Sequence, residues 1–242
     1  MARIMVDSFF HDRTIWLIGG SRGMGLALAA ELINRGAAVV ISARKRPQHL
    51  AHDSYLFKPL DVSNLDALIT TAKKLKPLDG VIYMPAVYTP SAIANIKQQP
   101  LRDLLTVNSM APTLLATTLA SHLEQRRGFI AIAGSQAGDV GLPLGQPYSA
   151  SKAYLKNFCQ SLAVEYPRLG VHLIAPGFVE TDLTASNQFA MPFIMSPEDA
   201  ARAIVRGLKK KKSVIIFPYR LRLLLLFWHW LPLWLKKRLW AR

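Results

Sequence analysis

The chain has 242 residues, 51% of them hydrophobic and 19% charged, with 30 Lys and Arg, 15 Asp and Glu, and one cysteine. That size and apolar content bury a sizeable core and exclude a chain disordered throughout; one cysteine excludes a disulfide framework and a thiolate zinc site, and is compatible with a reducing compartment. The formal charge of +15 would suit nucleic acid or a membrane surface, but eleven of the cations lie at or beyond Arg206 and no acid follows Asp199, so the first 205 residues carry only +4.

Residues 1–13 hold Arg3, Asp7, Asp12 and Arg13 and lack the apolar run of a signal peptide. Thr14-Ile15-Trp16-Leu17-Ile18 is a short apolar run ending in glycines, the pattern of a buried parallel strand. Leu26 to Arg35 has helical spacing and stops at Gly36; Val39 to Ser42 is a second strand. Asn64 to Lys76 is helical and ends before Pro77, and Gly80 to Met84 is a strand. The pattern predicts one long helix over Asn108 to Arg126, a strand over Phe129 to Ala133 and a helix over Tyr148 to Tyr166. Val171 to Ala175 is a strand, Ser196-Pro197-Glu198-Asp199 opens a helix to about Leu208, and Val214 to Phe217 is the last strand. Strands alternating with helices predict a doubly wound, Rossmann-type α/β fold, a parallel sheet with helices on both faces. The expected organisation is one domain over 13–218 and an apolar, basic helical tail over 219–242.

The segment Gly19-Gly20-Ser21-Arg22-Gly23-Met24-Gly25 joins the first strand to the first helix. Gly19 suits a tight turn, Gly23 a close backbone approach to phosphate, and Gly25 helix–strand contact, with the helix N-terminus facing the pyrophosphate. A mere glycine-rich turn is the competing reading; the strand–loop–helix context favours a dinucleotide site built from Gly19, Ser21, Arg22, Gly23, Met24 and Gly25. The spacing Gly-x-x-x-Gly-x-Gly resembles the short-chain dehydrogenase/reductase family, with Ile18 and Met24 in place of that loop's usual Thr and Ile.

At the end of the second strand stands Ala43 followed by Arg44, not the acid expected to bind a ribose 2′-hydroxyl. Arg44 and Arg22 suit a 2′-phosphate, so NADP(H) is expected ahead of NAD(H); the competing reading makes Arg44-Lys45-Arg46 a solvated loop. Asp61-Val62, after the third strand, matches the family's pair beside the adenine, although Asp61 equally suits a partner at the next helix N-terminus.

Tyr148 and Lys152 stand at i and i+4, adjacent on one helix face. Ser135 lies thirteen residues earlier, directly after a strand, in Gly134-Ser135-Gln136-Ala137-Gly138. Asn108 opens the preceding helix, and Pro176-Gly177-Phe178-Val179-Glu180-Thr181-Asp182 follows the next strand. This set resembles the Ser, Tyr-x-x-x-Lys and Pro-Gly signature of the same family over about residues 13–218. The resemblance implies that Tyr148 is the acid/base, that Lys152 lowers its pKa and bonds the nicotinamide ribose, and that Ser135 polarises the carbonyl. It also implies that Asn108 positions a relay water, while Pro176, Gly177, Val179 and Thr181 border the cofactor. The reaction expected is interconversion of a carbonyl and a secondary alcohol. A catalytically idle nucleotide-binding sensor or scaffold on the same fold is the alternative. Tyr83-Met84-Pro85-Ala86 departs from the family's Asn-Asn-Ala-Gly.

Substrate contacts are expected from Gln136, Leu142 and Phe178, on loops 136–146 and 178–195. The second loop has no charged residue between Asp182 and Glu198 and includes Leu183, Phe189, Met191, Phe193, Ile194 and Met195, which suggests an apolar lid and an apolar substrate, or residues that simply cover the body. Cys159 is expected to be a buried inert thiol. His11, His49, His52, His122, His172 and His229 show no metal spacing, and His172 is expected to be structural.

The tail runs Leu221 to Leu235 with Arg222, His229 and Lys236 recurring every seven residues, and Pro232 should kink it. Its apolar stretch makes roughly 20 Å of helix, short of a bilayer's ~30 Å hydrocarbon layer. Flanking cations and aromatics fit an interfacial helix, giving a cytoplasmic enzyme with peripheral membrane contact; docking on the body or a sister subunit is the alternative. No nucleic-acid partner is expected, and a homodimer or homotetramer is implied by the family resemblance, through the helices at 108–126 and 148–166.

Overall fold

The computed structural model describes residues 8–51, 54–185 and 190–240. Arg3, Asp7, His52, Phe189 and Arg242 lie outside them. The elements are, in chain order, β1 (Thr14–Ile18), α1 (Gly23–Asn34), β2 (Ala38–Ala43), β3 (Tyr55–Pro59), α2 (Leu65–Lys74), β4 (Gly80–Tyr83), α3 (Gln98–Leu105), α4 (Ala111–Gln125), β5 (Phe129–Ala133) and α5 (Gln146–Glu165). Then follow β6 (Gly170–Pro176), α6 (Asp182–Ala185), α7 (Pro197–Lys209), β7 (Val214–Phe217), α8 (Tyr219–Trp230) and α9 (Leu233–Trp240).

All strand pairs are parallel, in the order β3-β2-β1-β4-β5-β6-β7. The alternation of strand side chains divides the core in two. Trp16, Ile18, Val81 and Ile130 face Leu68, Leu115 and Leu119 on one side. Ile15, Leu17, Ile41 and Ile174 face Leu28, Leu32 and Ile204 on the other. Burying each such side chain contributes about 1.5–3 kcal/mol, and burial on both faces is why these strands read as unbroken apolar runs. Helix starts follow their caps: Asn64 Oδ1 accepts from Ala67 N–H at 3.0 Å, and Ser196 Oγ accepts from Asp199 N–H at 3.1 Å.

The expected single helix over Asn108 to Arg126 is corrected. α3 begins at Gln98, a π-helical turn spans Thr106–Met110, and α4 starts at Ala111. Pro112 has no N–H to give the Asn108 carbonyl, so the α-helical hydrogen-bond ladder is interrupted there. The kink expected at Pro232 is a full break, with Leu231 extended (ψ 136°) between α8 and α9.

The strand order reverses between β1 and β4, and the glycine loop leaves β1 at that switch point. Strands β5 and β6 follow beyond β4 in the sheet and carry Ser135 and Pro176 at their carboxyl ends.

Candidate active site

Gly19 takes φ +83°, and a Cβ there would stand 3.1 Å from the Pro85 ring. A Cβ on Gly25 would overlap the Gly19 carbonyl, so both positions require glycine. Arg22, the residue before α1, is extended and caps nothing with its side chain. The first-turn N–H groups of α1 therefore have no side-chain cap from Arg22, and a helix start of that kind suits phosphate. Ser21 and Met24 are half-buried. A Cβ on Gly23 would stand 3.0 Å from the Thr181 methyl, so the segment after β6 lies close to the loop. Val179 is buried and forms a parallel bridge with Met195. Phe193 and Ile194 are exposed, while Phe178 is half-buried.

Arg22 pairs with Asp182 at 2.9 Å, both exposed. Arg44 is exposed at the end of β2 beside Asp61. Arg46 lies over Phe57 at 5.0 Å and over Tyr55 at 5.9 Å, so the basic run is partly committed to covering β3. Asp61 accepts from the Ser63 N–H (3.0 Å) and hydroxyl (2.8 Å), which hold its carboxyl below the usual range, whereas Asn64 caps α2. Val62 is buried in the core.

Ser135, Tyr148 and Lys152 come together. Ser135 Oγ accepts from Ala137 N–H at 3.1 Å and hydrogen-bonds the Tyr148 side chain. Lys152, 1% exposed, donates to the Ala133 carbonyl at 2.8 Å, and its Nζ lies 5.5 Å from the centre of the Tyr148 ring. The expected direction of the tyrosine shift is corrected. Burial pushes Tyr148 up to about 12 against the opposing Ser135 hydrogen bond, and burial pulls Lys152 down to about 7. Desolvation disfavours the charged form of each, and here it outweighs the attraction expected from the pair. Tyr148 is thus a neutral phenol across the ordinary pH range, a group that holds a proton to give.

Asn108 is fully buried. Its Nδ2 donates to the Val87 carbonyl (2.9 Å) and to Ser151 Oγ (3.2 Å), and its Oδ1 accepts from Val87 N–H (2.8 Å). Both N–H groups are spent, so the side chain braces the β4 loop against α5 and has no donor left for a relay water.

Gln136 is also more constrained than expected. It is 1% exposed, and its Nε2 donates to the Phe217 carbonyl (2.9 Å) and the Pro218 carbonyl (3.2 Å), tying the loop after Ser135 to the start of the tail. Leu142 is half-buried beneath the tail. Leu221 is buried against Gly177, where a Cβ would come within 2.5 Å of its Cδ2. Asp139 accepts from Lys156 (2.6 Å) and Arg222 (3.1 Å).

Tyr88 and Ser151 were not singled out by the sequence pattern. The Tyr88 ring is 4.8 Å from that of Tyr148, a contact with no sequence signal. Ser151 had one, since it follows Tyr148 by three residues on the same helix. The family departure at residues 83–86 also finds its use: Tyr83, 1% exposed, donates to the Val107 carbonyl at 2.6 Å, next to Asn108. Cys159 is buried and its thiol is pushed up to about 12 by that burial. His172 is 3% exposed, with Nδ1 2.7 Å from the Lys212 carbonyl, a structural position.

The family model for short chain dehydrogenases matches residues 13–191. This chain belongs to the short-chain dehydrogenase/reductase family. An uncharacterized oxidoreductase of Myxococcus xanthus (strain DK1622) is 34% identical over 227 residues, covering 86% of this chain and 88% of the relative. The 11-beta-hydroxysteroid dehydrogenase-like 3 of Arabidopsis thaliana is 26% identical, covering 85% and 73%. Among solved structures, a short-chain dehydrogenase from Sphingobium yanoikuyae in complex with NADPH has a TM-score of 0.78 at 22% identity, covering 85% of this chain and 88% of that one. As a short-chain dehydrogenase/reductase the chain is an oxidoreductase acting on CH–OH and C=O groups.

Proposed function

We propose that this chain is an NADP(H)-dependent reductase of apolar ketones, working reversibly on the corresponding secondary alcohols. The observation that carries it is the convergence of Ser135, Tyr148 and Lys152 at the switch-point side of the sheet. The residues present fit a dinucleotide: Gly19 at φ +83° makes the tight turn, a Cβ on Gly25 would overlap the Gly19 carbonyl so that α1 packs closely on the loop, and the α1 N-terminus suits a pyrophosphate. Gly19, Ser21, Gly23, Met24 and Gly25 would hold that group, Asp61 and Val62 the adenosine end, and Pro176, Gly177, Val179 and Thr181 the nicotinamide end. Bound there, the dinucleotide supplies the hydride in reduction and accepts it in oxidation.

The chain's own groups handle the oxygen and its proton. Ser135 Oγ donates to the carbonyl oxygen and holds it at Tyr148. Tyr148 gives its phenolic proton to that oxygen as charge develops, and the protonated form of Lys152 stabilises the phenolate left behind. Asn108 is a positioning residue that fixes α5 through Ser151.

For the 2′-phosphate, Arg44 is the favoured cation, because Arg22 is shared with Asp182 and no acid stands at Ala43. The NADPH in the Sphingobium structure is in line with this choice. Arg44→Asp is expected to weaken NADPH binding at least about tenfold more than NADH binding, read by fluorescence titration. Equal losses would remove the assignment. The reaction itself is tested by NADPH oxidation over a panel of apolar ketones, where an inert full-length chain would favour the idle sensor or scaffold.

A second reading concerns place rather than chemistry. Phe227, Trp230, Leu233 and Trp234 are exposed on a segment rich in Lys and Arg, and among the described residues no helix is long and apolar enough to cross a membrane. These features support a peripheral, interfacial role for residues 219–242 at a cytoplasmic membrane face. Exposed Val164 and Tyr154 on α5 support a homo-oligomeric contact through α4 and α5.

A further inference from the structure

The loop after β5 is fastened to a strand with which β5 does not pair. Gly134 N–H donates to the Ile174 carbonyl of β6 at 2.7 Å, Ser135 is extended, and Gln136–Asp139 make one 3₁₀ turn. β6 lies between β5 and β7 in the sheet. The Gln136 side chain crosses the end of β6 and donates from Nε2 to the Phe217 and Pro218 carbonyls, at 2.9 and 3.2 Å. The crossing passes Gly177, where a Cβ would stand 3.3 Å from Nε2.

Satisfying those carbonyls does not explain this amide. The Phe217 carbonyl already accepts from the Gly177 N–H at 2.7 Å. Gln136 is 1% exposed, and its Oε1 is buried with no hydrogen-bond partner among the described residues. An acceptor buried in that way is destabilising, so packing alone would favour an apolar side chain at this position. What an apolar side chain cannot supply is a fixed tie between the β5 loop and the end of β7.

The tie ends one residue from a reacting group. Ser135 Oγ accepts from the Ala137 N–H at 3.1 Å, and the Ser135 carbonyl accepts from the Gly138 N–H at 3.1 Å, so Gln136 sits inside a turn closed on Ser135. The same Oγ hydrogen-bonds the Tyr148 side chain. A displacement of Gln136 is therefore a displacement of the Ser135 hydroxyl, and a misplacement of about 1 Å at a reacting group can cost about 10²-fold in rate.

We propose that Gln136 is a positioning residue for the carbonyl reduction: by fastening its loop across β6 to the end of β7, it sets the Ser135 hydroxyl against Tyr148. This rests on the reductase reading above. It makes the end of β7 part of the support of the reaction centre.

The test compares the full wild-type chain with Gln136→Met, which keeps the length of the side chain and removes both N–H groups. Turnover of an apolar ketone is expressed per NADPH site titrated by fluorescence, so that unfolded protein does not count. Gln136→Met should lower kcat about 10- to 100-fold, with KM for the ketone and Kd for NADPH within about twofold of wild type. Gln136→Asn, one methylene shorter, should fall between the two and serves if Gln136→Met does not fold. Arg222→Ala loosens the same root and leaves the amide in place, so it should keep the wild-type kcat. A second readout needs no turnover: the infrared carbonyl stretch of a ¹³C-labelled ketone bound together with NADP⁺. The stretch should be lowered in wild type and Arg222→Ala, and should rise to the Ser135→Ala value in Gln136→Met. Wild-type kcat in both Gln136 variants, an equal loss in Arg222→Ala, or a carbonyl stretch unmoved by Gln136→Met would overturn the proposal. A wild-type chain that binds NADPH and is inert toward every ketone would instead sink the reductase reading, and with it this role for Gln136.

Discussion

The carboxyl ends of the strands and the C-terminal tail differ in how their side chains are satisfied. Around Tyr148 almost every polar group has a fixed partner: Lys152 on Ala133, Asn108 on Val87 and Ser151, Tyr83 on Val107. Along α8 and α9 the partners are few and gathered at the root, while Phe227 is 66% and Trp230 82% exposed. The first region is built for one geometry, as chemistry on a carbonyl demands. The second presents apolar surface with few specific bonds, which suits a choice of hydrocarbon or an interface. The contrast is between a region fixed in one geometry and a region held only at its root, by Gln136, Leu221 and Arg222.

The largest effect should come from Lys152→Met. Turnover is expected to fall by roughly 10²–10⁴, because the phenolate loses the one buried cation among the described residues. The fold, however, should gain about 0.5–2 kcal/mol at pH 7, since a desolvated amine is removed. The sign follows from linkage. With Lys152 at about 7 when folded and 10.5 when unfolded, the unfolded chain binds the extra proton between those values. Wild-type stability at this residue therefore rises with pH from about 7 to about 10.5, and the variant loses that slope. Ketone reduction by wild type should decline as pH rises through about 7, where Lys152 loses its proton. Chemical denaturation across pH and a kcat/KM profile check both, and a pH-flat rate through that range would break the link between Lys152 and the acid step.

Tyr83→Phe should have the next largest consequence. It leaves the buried Val107 carbonyl without its donor and should cost about 1–3 kcal/mol by urea unfolding, with a smaller loss of activity through Asn108. No loss of stability would mean that Tyr83 contributes by apolar burial alone. Arg222→Ala should be smaller, about 0.2–1 kcal/mol, because the ion pair with Asp139 is only partly buried. Its clearer signature should be several-fold faster proteolysis within 219–242 at unchanged cleavage of the body. Equal protection of the tail would show that Leu221 and Gln136 hold it unaided.

Much of this contrast was legible before the structure. Strands such as Thr14–Ile18 and Phe129–Ala133 announce themselves because both faces are buried, and the spacing of Ser135, Tyr148 and Lys152 survives in the chain order. β3 was less readable, since it is an edge strand with Leu56 and Lys58 exposed and Pro59 at its end. α3 and the π-helical turn were hidden because the break at Pro112 looks like the ordinary start of a helix. Contacts between distant segments, such as Tyr88 on Tyr148 or Leu221 on Gly177, have no local pattern to betray them. The direction of the Tyr148 shift has no local pattern for the same reason: i and i+4 spacing shows a neighbouring ammonium, whereas desolvation depends on the whole surrounding fold.

The most direct test of the central claim is NADPH oxidation by the full chain and by Tyr148→Phe with an apolar ketone, alongside NADPH binding to both. Wild type should oxidise one NADPH for each alcohol formed, and Tyr148→Phe should bind NADPH as tightly while turning over at least about 10²-fold more slowly. Reduction by Tyr148→Phe at the wild-type rate would contradict the account.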